Sequence, residues 1–98
     1  MTRTEHLLTI VAEECAEVSQ RITKILRFGA TEIQPGQDKD NIERLLDEFN
    51  DLYAMMMMLK NDNLIPWDFL SGDKMANKIQ QVEKFLEYSR KCGTLTDS

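Results

Sequence analysis

Residues 41–60, NIERLLDEFNDLYAMMMMLK, decide how the chain is read. Ile42, Leu45, Leu46, Phe49, Leu52, Tyr53, Met56 and Leu59 recur at three- and four-residue spacings, the period of a helix with one wide apolar arc. Met55, Met57 and Met58 carry apolar character further around it. A helix apolar on most sides is buried on most sides, and in a chain of 98 residues that predicts an oligomer. One feature conflicts with the pattern. LLDEFNDLY holds Asp47, Glu48 and Asp51, and on a helical wheel Glu48 falls between Met55 and Leu59, on the arc itself. Asp51 sits at its border.

Upstream, Asp38 or Asp40 is placed to cap this helix, and residues 30–39, with Pro35-Gly36, read as a loop. Before the loop, the spacing of Leu7, Val11, Val18, Ile22 and Ile25 predicts a helix over about residues 5–27. Thr2-Arg3-Thr4-Glu5 has the form of a capping box, and Phe28-Gly29 ends the segment. Downstream, Asn61-Asp62-Asn63 breaks the pattern. Pro66 suits the first turn of a short helix containing Trp67 and Phe69. Ser71-Gly72-Asp73 leads a last helix to about residue 91, with Met75, Ile79, Val82 and Leu86 as its stripe. Gly93 is its stop, and the tail TLTDS is expected to fray. No segment alternates as a strand would. The expectation is a single all-α domain over residues 1–98, a bundle of about four helices assembled into an oligomer.

The bulk numbers set limits on function. A formal charge of −5 lacks the basic surface that a binder of nucleic acid polymers needs. It does not oppose a small phosphorylated ligand, since local charge can differ in sign from net charge. No apolar run approaches a membrane span, and acids appear too early for a signal peptide. Cys15 and Cys92 make neither a disulfide framework nor a metal cluster, and Cys15 reads as a small core residue. A cytoplasmic, reducing setting is expected.

The first helix repeats the conflict of the second. EECAE, residues 13–17, places Glu14 within about 40° of the centre of the apolar face at 100° per residue. Glu17 lies at its edge and Glu13 farther out. Each helix therefore carries an i, i+3 acidic pair, one acid inside the arc and one at the rim: Glu14 with Glu17, and Glu48 with Asp51. Two antiparallel helices packed on those faces would gather all four. Carboxylates sharing a half-buried pocket need protonation, basic partners or a metal cation. Oxygen-only ligands in a chain with one histidine point to a hard cation, Mg²⁺ or Mn²⁺.

Glu13-Glu14-x-x-Glu17 followed by Glu48-x-x-Asp51 resembles the EExxE…ExxD signature of the MazG-like, all-α nucleoside triphosphate pyrophosphohydrolases. The likeness covers roughly residues 5–60 well and 74–91 loosely, with a longer connector between the motifs than in many members. It implies Mg²⁺-dependent hydrolysis of a nucleoside triphosphate between the α- and β-phosphates, giving the monophosphate and pyrophosphate. It implies Glu14, Glu17, Glu48 and Asp51 as metal ligands and Glu13 as the acid that orients or deprotonates water. It further implies a homodimer or homotetramer. Arg21 and Lys24 on the first helix, and Lys74, Asn77 and Lys78 on the last, are candidates for substrate phosphate. Trp67 is a candidate for stacking on a base, although a tryptophan there reads more readily as a core plug.

Plainer readings stand beside these. Glu17 with Arg21 and Arg44 with Glu48 are good i, i+4 ion pairs, and a salt-bridged bundle would serve as a structural oligomer. A bundle that binds a nucleotide or a protein without turnover is the alternative function.

Overall fold

Two reciprocal capping boxes set where the first two helices begin. In the computed structural model, which describes residues 1–96, α1 spans Arg3–Phe28 and α2 spans Asn41–Asn61. Thr2 Oγ1 accepts from the Glu5 amide at 3.1 Å while the Thr2 amide donates to Glu5 Oε1 at 3.3 Å. Asp40 and Glu43 repeat the exchange ahead of α2, at 2.9 and 3.2 Å. Each box satisfies amides that the first turn leaves without intrahelical partners. Of the two expected caps for α2, the structure uses Asp40. α1 ends at Gly29, whose φ of +100° favours glycine and whose amide donates to Ile25 O at 2.8 Å. α3 spans Gly72–Lys91 with Ser71 as its cap. Among the described residues there are three helices and no strand.

The short helix expected around Trp67 and Phe69 does not form; residues 62–71 hold turns only. Four residues separate Pro66 from the Ser71 cap. That is too short for a helix to recover the cost of its nucleus. Trp67 is 83% exposed, so the plug reading is corrected as well.

The chain divides into two compact units, Met1–Trp67 and Asp68–Ser98. In the first, α1 and α2 pack as an antiparallel hairpin. Arg3 Nε meets Asp62 Oδ2 at 2.8 Å at one end. At the other, the Asn41 side-chain amide donates to Gly29 O at 2.8 Å and to Glu32 Oε1 at 3.0 Å, and the Ile42 amide donates to Ala30 O. These bonds fasten both ends of the connecting loop, so α2 must return along α1. Leu7 and Leu59 are the buried apolar side chains of the hairpin. Two helices bury one seam only, and Leu46 and Phe49 stay about half exposed, at 54% and 53%. Met55, Met56 and Met57 are half-buried and Met58 is exposed.

The second unit is α3 and its flanks. Its stripe residues Met75, Ile79, Val82 and Leu86 are all exposed, as is Phe85 beside them. Gly93, at φ +79°, ends it, and Thr94 turns back to bond Ser89 O. The tail expected to fray extends to Asp97 and Ser98, which lie outside the described residues. No described helix is long and apolar enough to cross a membrane.

Candidate metal centre

The antiparallel register brings EECAE opposite DEFND. α1 presents Glu14 to the seam because it lies near the centre of the apolar face. The same geometry turns Cys15 about 100° away, which is why it is exposed and not the core residue expected. α2 presents Glu48 and, one turn on, Asp51. One carboxylate oxygen from each of Glu14, Glu48 and Asp51 lies within 4.8 Å of the other two. Glu14 and Glu48 are half-buried and Asp51 is exposed, so the group sits at the mouth of the seam.

Glu17 lies beside this group and outside it. Its charge bears on Glu48 across the seam. Glu13 is exposed and reaches Glu14 by its charge alone. Burial raises the Glu14 carboxyl above the ordinary glutamate value, and the charges of Asp51, Glu17 and Glu13 push the same way. Burial likewise raises Glu48, followed by the charges of Glu17, Asp51 and Glu14. Both shifts come from crowding like charges at a desolvated surface. Glu14 Oε2 is buried with no hydrogen-bond partner.

The basic residues nearest in sequence turn elsewhere. Arg44 Nη1 donates to Gln34 Oε1 at 3.1 Å, not to Glu48. Asp47 takes Lys39 at 2.7 Å, clear of the group. Arg21 is buried, with 7% of its surface exposed, and its Nη1 has no partner. No ion pair joins it to Glu17 among the described residues. A crowded acidic group with an unpartnered oxygen and no basic side chain paired to it fits a hard divalent cation. The donors are all carboxylate oxygens, and three of them leave a hard cation with positions for water.

Arg21 and Lys24 line a cleft between the end of α1, the connecting loop and the start of α2. Sequence reading named both cations but missed Asn41 and Glu32, which shape the cleft with them. An asparagine directly after an N-cap aspartate was the available signal. Lys74, Asn77 and Lys78 are exposed on α3, in the second unit, and Trp67 lies in the turn at the end of the first. The residues gathered at the acidic group come from α1 and α2. No family model, curated protein or solved structure matches the chain.

Proposed function

We infer that the protein is a Mg²⁺-dependent nucleoside triphosphate pyrophosphohydrolase of MazG-like type. The observation that carries this reading is the meeting of Glu14, Glu48 and Asp51 from two separate i, i+3 acidic pairs, with an unpartnered buried oxygen on Glu14. Salt-bridged acids would have basic partners, and these do not.

Glu14, Glu48 and Asp51 would hold Mg²⁺, with Mn²⁺ as a substitute. When bound, the ion supplies positive charge against the substrate's phosphates and polarises the α-phosphoryl group. Glu17 stands beside Glu48 and is assigned a supporting role at the rim of the group. With the ion bound, Glu17 would be a further carboxylate donor next to the three. Glu13, exposed beside the group, takes the proton of the attacking water. The water oxygen bonds to the α-phosphorus. The bond from that phosphorus to the α,β-bridging oxygen breaks, and pyrophosphate leaves with the electron pair. Products are a nucleoside monophosphate and pyrophosphate, and the use is to trim a nucleotide pool. Lys74, Asn77 and Lys78 remain candidates for phosphate and Trp67 for a base. The apolar α2 surface is assigned to a homodimer or homotetramer.

Pyrophosphate release from a panel of ribo-, deoxyribo- and modified triphosphates, with Mg²⁺ and with chelator, tests this. Metal-dependent release that Glu48→Ala abolishes is expected. Metal binding without release from any substrate leaves a non-catalytic bundle; neither metal binding nor release overturns the reading.

A further inference from the structure

Arginine keeps its charge inside proteins, and an arginine cut off from water needs an anion. Arg21 is more than nine-tenths buried, its Nη1 is sealed with no hydrogen-bond partner, and no carboxylate of the described residues pairs with it. It lines a cleft of about 260 Å³ together with Lys24, Phe28, Glu32, Gln34 and Asn41. Lys24 Nζ stands 5.6 Å from the centre of the Phe28 ring, which holds a second cation at the cleft. The one acid there, Glu32, has Oε1 occupied by the Asn41 amide at 3.0 Å. Two cations against one acid leave the cleft positive in a chain whose net charge is −5.

The cleft and the acidic group lie on one seam. Arg21 follows Glu14 by two helical turns on α1, and Asn41 precedes Glu48 by two turns on α2, about 10 Å along the axis at 1.5 Å per residue. A neutral nucleoside has no use for two cations; a phosphate chain does.

We propose that this cleft is an anion site for a diphosphate group, with the buried Arg21 guanidinium as its anchor and Lys24 as its second cation. Diphosphate reaches it as free pyrophosphate or as the β- and γ-phosphates of a bound nucleotide. The second source rests on the hydrolase reading above and orients the substrate with its phosphate tail toward the end of α1. The first source does not depend on that reading.

The test is calorimetric titration of the full chain in chelator, with inorganic pyrophosphate and, separately, a nonhydrolysable triphosphate nucleotide, at low and moderate salt. Binding of pyrophosphate that weakens with salt is expected. Arg21→Met should weaken it about tenfold or more, the value of hydrogen bonds to a charged group. Glu32→Gln keeps the acceptor for Asn41 and removes the negative charge, so it should tighten binding. Glu48→Ala should leave pyrophosphate binding in place, which separates this site from the acidic group. Thermal melting guards against a merely structural arginine. Arg21→Met removes an uncompensated charge, so it should melt at or above the wild-type temperature and lose the upward shift that pyrophosphate gives the wild type. No heat with pyrophosphate, equal affinity in Arg21→Met, or a lower melting temperature for that variant without ligand overturns the proposal. Pyrophosphate binding that depends on Arg21, in a protein that releases none from any nucleotide, sinks the hydrolase reading alone. Competition between pyrophosphate and the nucleotide identifies the cleft as the seat of the β- and γ-phosphates; binding of both together assigns it to the free anion.

Discussion

Glu48 is the side chain on which most of the candidate site turns. It is half-buried, meets Glu14 and Asp51 within 4.8 Å, and feels the charge of Glu17. Glu48→Ala should abolish metal-dependent turnover, while Glu17→Gln, which alters only a neighbour of the group, should cost about 10–100-fold. Steady-state kinetics on the two variants distinguishes a ligand from its support; equal losses would put Glu17 among the ligands. The raised carboxyls also fix a pH dependence. Glu14 and Glu48 hold protons in the folded chain at pH values where the unfolded chain has lost them. Their contribution to stability is therefore full below the ordinary glutamate value of 4.5 and is lost as pH rises through the raised values. Without metal, the melting temperature should fall as pH rises across that window, and Glu48→Gln should flatten the fall. A wild-type curve that rises over the same range would contradict the crowding described here.

At the scale of the element, the hairpin is set by its ends. Asp40→Ala removes the cap that accepts from Glu43 and should lower stability by about 1 kcal/mol. Asn41 is 2% exposed and bridges Gly29 and Glu32. Asn41→Ala leaves those acceptors unpaired in a part-buried place, at a cost of about 1–3 kcal/mol. Chemical denaturation measures both, and a smaller loss for Asn41→Ala than for Asp40→Ala would mean the loop is not fastened there. The start of α1 was legible because its capping box is written in four consecutive residues, Thr2 to Glu5, whereas for α2 the sequence left Asp38 and Asp40 as alternatives and the fold chose Asp40. The stop at Gly29 was legible for the same local reason. The segment after Pro66 was misread because a proline marks where a helix can start and says nothing of whether enough chain follows to sustain it.

Leu46, Phe49, Ile22 and Tyr53 are exposed on the α1–α2 unit, more apolar surface than a monomer ordinarily leaves to water. Sedimentation velocity should show an assembly larger than one chain, and Phe49→Glu should shift it toward monomer; a wild-type monomer at micromolar concentration would remove the oligomer from the proposal. Mg²⁺ or Mn²⁺ at 100 times its dissociation constant should stabilise the folded chain by about 2.7 kcal/mol. Thermal melts should show that gain in the wild type and not in Glu48→Ala. Helical period and caps are properties of neighbours in the chain, so the all-α class, the Thr2–Glu5 capping box and the anomaly of Glu14 and Glu48 on apolar arcs were legible without the fold. Which acids meet, that Glu17 stands beside the group and not in it, and that Arg21 is buried without a partner came from the packing. Those facts depend on the antiparallel register and on the loop that Asn41 fastens, and a helical wheel drawn for one helix carries no information about the depth to which its neighbour covers it.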